Sequence, residues 1–141
     1  MTPNVNLIAL IVAVVASMAV GFLWYSPLLF GAQWSKLMGF TKESLKKAQQ
    51  SMGPMYGLSA LAALVTAFVL THLIAQAEKY YGMDRLTTGV MTAFWGWLGL
   101  VAPVQMTDVI FGNKKWSLFA INTGYQLASL LVMGTIIALL G

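Results

Sequence analysis

Residues 6–25 read NLIALIVAVVASMAVGFLWY, a run without a single charged side chain. A helix that crosses a bilayer needs about 20 mostly apolar residues, and this run has that length. Hydrocarbon offers no water to backbone N–H and C=O groups. The run must satisfy them internally, and an α-helix does so. It shows none of the apolar–polar alternation of a membrane β-strand. No Lys or Arg precedes it, so it lacks the basic leader of a secretory signal and reads as an uncleaved first span.

Three further runs repeat the pattern. One covers about 55–76 and holds a single ionisable residue, His72. The next covers about 86–107, uncharged and interrupted by Pro103, and the last covers about 116–140, also uncharged. The expected fold is therefore all-α: a four-transmembrane-helix bundle forming one transmembrane domain over residues 1–141. Composition agrees, with 59% hydrophobic and 9% charged residues. A water-facing surface needs about 25% charged residues.

The intervening segments set an expected orientation. The first, 26–54, carries Lys36, Lys42, Lys46 and Lys47 against Glu43, and the third carries Lys114 and Lys115 with Asp108. The second balances Lys79 and Arg85 with Glu78 and Asp84. Six basic residues thus share one face and two the other. The positive-inside rule places the first and third segments in the cytoplasm and both termini outside. This placement accounts for the net charge of +4, and nucleic acid is not an expected partner.

Segment 26–54 is long for a bundle connection. Phe30, Trp34, Leu37 and Met38 are spaced to share one helical face, which predicts an interfacial, amphipathic helix in the headgroup region. Thr41 has the character of an N-cap for a polar helix through about Gln50, stopped before Gly53-Pro54. A faint echo links Pro27, Phe30-Gly31 and Trp34-Ser35 to Pro103, Phe111-Gly112 and Trp116-Ser117, as a two-helix duplication would.

Membrane helices associate through close backbone approach and polar contacts. Ala9, Ala13, Ser17 and Gly21 form a small-residue row on the first run, and Ala120, Gly124 and Ala128 form one on the fourth. These two rows are the expected tight contacts. Asn122, Tyr125, Gln126, Ser129 and Met133 gather on another face of the fourth run. An unpaired amide in hydrocarbon costs several kcal/mol, so this face is also expected to be buried. Pro103 removes a backbone donor and clashes with the carbonyl one turn back, which predicts a kink near Gly99.

The candidate polar or binding residues are Asn122, Tyr125, Gln126, Trp24, Tyr25, Gln105, Asp108 and His72. Each has a plainer alternative. The helix-four amides serve equally as structural glue, Asp108 as the partner of a nearby lysine, and Trp24 and Tyr25 as aromatic anchors at a helix end. A lone histidine makes a poor metal site. No cysteine is present, and no acid–base cluster suggests catalysis. No catalytic residue, metal or cofactor is expected. The readings that remain are an interaction or accessory protein that joins a homo-oligomer or a larger membrane complex, or a small oligomeric transporter or channel using the helix-four site. A lipid-modifying enzyme is the weakest of the three.

Two stretches resemble a known family. Gly21-Phe22-Leu23-Trp24-Tyr25-Ser26-Pro27-Leu28-Leu29-Phe30-Gly31 with Trp34 resembles the opening signature of the domain-of-unknown-function family numbered 1761. Ile121-Asn122-Thr123-Gly124-Tyr125-Gln126-Leu127 with Ser129 and Met133-Gly134 is similar to its final helix. The resemblance implies a four-span protein of the bacterial inner membrane and brings no established activity.

Overall fold

The computed structural model describes residues 4–141. Among them the chain forms six helices and no strand: α1 (Leu7–Trp24), α2 (Gly31–Met38), α3 (Lys42–Gln50), α4 (Gly53–Tyr81), α5 (Arg85–Gly112) and α6 (Trp116–Leu140). Helices α1, α4, α5 and α6 are long and apolar enough to cross a membrane.

Local chemistry sets the helix ends. Asn6 Oδ1 accepts from the N–H groups of Ile8 (3.0 Å) and Ala9 (3.3 Å), and Asn6 Nδ2 donates to Leu140 O (2.9 Å), tying the start of α1 to the end of α6. Thr41 caps α3 reciprocally with Ser44. Helix α4 continues past the expected end near 76, because Glu78 to Tyr81 offer no break and the chain turns only at Gly82, with φ of 63°. Helix α5 likewise continues to Gly112 and stops where Asn113 takes φ of 52°. Hydropathy marks the apolar part of a helix; the backbone stop lies beyond it.

Each bundle helix turns one face inward. On α1, Ala9, Ala13 and Ser17 are buried, while Leu7, Ile8, Ile11, Val15 and Phe22 are exposed. Helix α6 touches α1, α4 and α5. It is the most enclosed of the four, with 39% of its apolar window buried against 11% for α5. The core consists of Leu10, Ala13, Ala67, Leu70, Ile74, Ala93, Leu130, Met133 and Ile137. These come from the first part of α1, the second part of α4, the first part of α5 and the second part of α6. All lie toward one end of the bundle, the end away from α2 and α3.

The closest backbone approach is between α5 and α6. A Cβ on Gly89 would stand 2.7 Å from Gly134 O, and one on Gly134 would stand 2.7 Å from Gly89 O. On α1 the expected small row is turned into the bundle, with Ala9, Ala13 and Ser17 buried. Ala120 is exposed, and Gly124 meets the Trp24 indole rather than a helix backbone. The α1 row instead receives Tyr125 and Ser129, and Ser17 Oγ and Ser129 Oγ lie 2.7 Å apart in a buried hydrogen bond. A concave row fills space better against larger side chains than against another row of hollows.

Around the expected kink near Gly99 the helix changes its hydrogen-bond pattern ahead of Pro103. Just before it, α5 takes a π turn over Trp97–Val101, and the Ala102 N–H reaches back five residues to Trp97 O. The extra residue in the turn absorbs the missing donor and the ring clash. Pro27, by contrast, lies in the turn between α1 and α2. Gly31 begins a helix where Gly112 ends one, so the echo between the two halves has no matching local structure.

Candidate functional site

At the end away from the core, the chain reverses between α1 and α2. Phe30 N–H donates to Trp24 O (3.0 Å), Gly31 N–H donates to Ser26 O (2.9 Å), and Ser26 Oγ donates to Leu23 O (2.6 Å). Only glycine fits at residue 31, because a Cβ there would collide with the Tyr25 carbonyl oxygen.

This reversal aims two aromatic side chains at α6. Trp24 Nε1 donates to Ile121 O (3.0 Å), and its ring covers Gly124, where a Cβ would come within 3.0 Å of the indole. Tyr25 Oη donates to Asn122 Oδ1 (2.7 Å). The Tyr25 ring meets Tyr125 at 5.4 Å and Trp34 of α2 at 5.6 Å, both edge-on. Tyr125 lies against the bare backbone of Gly21. The two stretches that carry the family resemblance therefore touch each other along their length.

Beside this assembly is a cavity of about 770 Å³. Met18, Gly21, Phe22 and Tyr25 of α1, Tyr56 and Ser59 of α4, and Leu118, Asn122 and Tyr125 of α6 form its floor and walls. Trp34 and Met38 of α2 and Leu45 of α3 cover it. The volume falls in the range of about 300–1,000 Å³ typical of small-molecule sites. The lining is mostly apolar and aromatic. The Tyr125 hydroxyl and the Asn122 amide N–H groups make no hydrogen bond to the described residues, and both side chains line the space. Lys114 is the one charged residue among the described lining, and its Nζ donates to Asp108 Oδ2 at 2.6 Å. None of the core residues lines the cavity, which lies toward the end of the bundle away from them.

The candidate residues thus divide among several places. Trp24, Tyr25, Asn122 and Tyr125 come together. Gln105 lies on the α5 side of α6, where it accepts from Thr123 Oγ1, and Trp97 Nε1 donates to Thr123 O (2.9 Å). Asp108 forms an exposed ion pair with Lys114. His72 Nδ1 lies 2.8 Å from Phe68 O, one turn back on the same helix. His72 is on α4 away from the cleft. Gln126 is half-buried and makes no side-chain hydrogen bond to the described residues. Among the described residues, no three His, Asp or Glu side chains converge as a metal site.

Sequence reasoning missed Ser59 and the covering role of Trp34 and Met38. The spacing of Trp34 and Met38 showed an apolar face but not which surface it would meet. A second cavity of about 760 Å³ lies between α4 and α5 near the other end, lined by residues such as Tyr81, Met91 and Trp95. None of the sequence-chosen residues lines it.

The fold and the cleft define a class: a helical bundle with four helices suited to crossing a membrane and an aromatic-lined cleft at one end. The sequence model of the family described as "Protein of unknown function (DUF1761)" matches residues 8–138, and the chain belongs to that family. Neither the curated proteins nor the solved structures contain a match.

Proposed function

We propose that this chain is a multi-pass protein of the bacterial inner membrane that works by binding, as an accessory subunit rather than as an enzyme or a conduit. In this reading α2 and α3 lie at the cytoplasmic interface and both termini lie outside. The charge distribution supports the orientation: Lys36, Lys42, Lys46, Lys47, Lys114 and Lys115 lie at the cleft end, against Lys79 and Arg85 at the other. The observation that carries the binding role is the cleft of about 770 Å³ with its aromatic and aliphatic lining from α1, α2, α3, α4 and α6.

The test uses the purified chain in neutral detergent with an environment-sensitive apolar dye. Ser59→Trp fills the cleft, and it should abolish saturable dye binding while leaving the helical circular dichroism spectrum intact. Unchanged binding would remove the cleft from the account. A cytoplasm-dependent reporter fused after Gly141 should stay silent; strong activity would invert the orientation.

A second reading joins this chain to a second copy or a larger membrane complex through α5, the least enclosed of the four long helices. Helix α5 exposes Trp95, Leu98, Leu100, Val104, Ile110 and Phe111 along its length. In that arrangement a shared polar path would run beside Gln126 and Gln105, which is the small oligomeric transporter reading. Flux across liposomes carrying the protein separates the two: ion or metabolite movement above protein-free vesicles favours the transporter.

A further inference from the structure

The lining of the cleft restricts what it can hold. Its walls are aromatic and aliphatic, from Met18, Phe22, Trp34, Met38 and Tyr56, so the occupant has an apolar body. Among the polar groups at the cleft without a hydrogen bond to the described residues, beside Ser35, Gln49 and Ser59, two lie together on α6. The Asn122 carbonyl oxygen already accepts from Tyr25, which leaves its amide N–H groups as donors, and the Tyr125 hydroxyl is the other. No carboxylate lines the cleft among the described residues, and its only charged lining residue there is Lys114. Around that end the chain carries six lysines, Lys36, Lys42, Lys46, Lys47, Lys114 and Lys115, against Glu43 and Asp108. A positive field at the mouth of a low-dielectric space raises the local concentration of anions. Donors in such a space are worth most when the acceptor is ionised.

We propose that the cleft binds an anionic amphiphile. Its acyl chain lies against Phe22, Trp34 and Tyr56, and its acidic head accepts hydrogen bonds from the Asn122 amide and the Tyr125 hydroxyl beneath the lysine-rich α2–α3 cover. This assignment rests on the binding role proposed above and names the ligand class. A carboxylate and a phosphate share the required chemistry, so a fatty acid and an anionic phospholipid are its two sources. A free inorganic anion brings no chain and leaves the aromatic walls unfilled.

Photolabelling of the full chain tests this. The protein in neutral maltoside micelles at pH 8 is irradiated with a diazirine-bearing stearic acid or with the matching stearyl alcohol, and labelled peptides are mapped by mass spectrometry. The acid should label the peptides holding Trp34, Met38 and Tyr56, with an apparent affinity about tenfold above that of the alcohol, the range of hydrogen bonds to a charged group. Excess stearate or phosphatidylglycerol should suppress this labelling, and whichever competes better identifies the source. Inorganic phosphate should not compete. Asn122→Leu with Tyr125→Phe should erase the preference for the acid while alcohol labelling stays unchanged. The native chain decides alone if that variant misfolds: equal labelling of the cleft by acid and alcohol overturns the anionic assignment and leaves the binding role standing. Labelling confined to lipid-facing sites such as Leu100 overturns both.

Discussion

Gly134→Ala adds one methyl group at the tightest point of the bundle. Its Cβ would lie 2.7 Å from Gly89 O and 3.0 Å from the Ala93 Cβ. Ordinary van der Waals contact begins at 3.4 Å, so α5 and α6 must separate by 3.4 − 2.7 = 0.7 Å. The obstructing atom is a backbone carbonyl and cannot rotate aside. A gap of that order forfeits about a quarter to a half of the dispersion attraction of each contact it opens. Overpacking of a close contact costs about 1–3 kcal/mol. The seam from Thr88 to Ala138 has no flexible side chain to absorb the shift, so about 2–3 kcal/mol is expected. Gly57 supplies the control, since a Cβ there meets nothing within 4 Å. Gly57→Ala should be neutral or stabilising by up to about 1 kcal/mol through helix propensity alone. Unfolding of both variants by titration with sodium dodecyl sulfate, followed by circular dichroism, gives the two free energies. Gly89→Ala should cost about as much as Gly134→Ala, and the double variant less than the sum, because helices already apart have room for the second methyl. A Gly134→Ala protein within about 0.5 kcal/mol of the native chain would refute the close crossing as a source of stability.

A double-mutant cycle on Tyr25→Phe and Asn122→Leu should return a coupling of about 0.5–1.5 kcal/mol for their hydrogen bond; zero coupling would mean the two side chains do not meet. Lys114→Gln should change stability by less than about 0.5 kcal/mol, because its pair with Asp108 is exposed on both sides and screened; a larger loss in the same titration would show that the pair braces the α5–α6 turn. Asp84 accepts from the Thr87 N–H at 2.9 Å, which holds its carboxyl below the usual aspartate range. A carboxylate lowered in the folded chain contributes stability above its unfolded pKa and loses it as the pH falls through the folded value. Hydrogen exchange at the start of α5 should therefore quicken as the pH drops below the aspartate range, beyond the intrinsic pH dependence. Asp84→Asn should flatten that extra change; an unchanged profile would detach the cap from the effect.

The four long helices were legible because a hydrocarbon environment leaves a chain few choices. Twenty apolar residues around Ala13 or Ile137 have one way to satisfy their backbone. Thr41 and its helix were legible for a similarly local reason, since a capping side chain and the N–H groups it accepts from are three residues apart. Partners across the bundle were not. The small row on α6 was visible, but its angular position relative to α1 depends on how every other pair packs. Trp24 took the hollow at Gly124, and the close backbone crossing went to Gly89 and Gly134 instead. The π turn before Pro103 was equally hidden. A proline announces a lost donor near Gly99, but not that the turn before it would take in an extra residue, beside contacts such as Trp97 to Thr123.

The cleft lies where aromatic side chains stand between the helices. Toward the end away from it the inward positions are Ala9 and Ala13 on α1, Gly89 and Ala93 on α5, and Gly134 and Ala138 on α6. Toward the other end they become Trp24 and Tyr25, Trp97, and Asn122 and Tyr125. Helix axes separate according to the side chains between them: Gly89 and Gly134 let α5 and α6 meet closely, while Trp24, Tyr25 and Tyr125 stand between α1 and α6 beside the cleft. Helix α4 records the result: it buries Ala67, Leu70, Thr71 and Ile74, but nothing in its first turns from Met55 to Val65. The opening cannot close by collapse, because its spacers are hydrogen-bonded in place through Ile121, Asn122 and Thr123. Wetting its apolar walls would cost about 25 cal/mol for each Å². In the binding role proposed above, an occupant with an apolar body and a head for the Asn122 and Tyr125 donors would cover those walls without moving a helix.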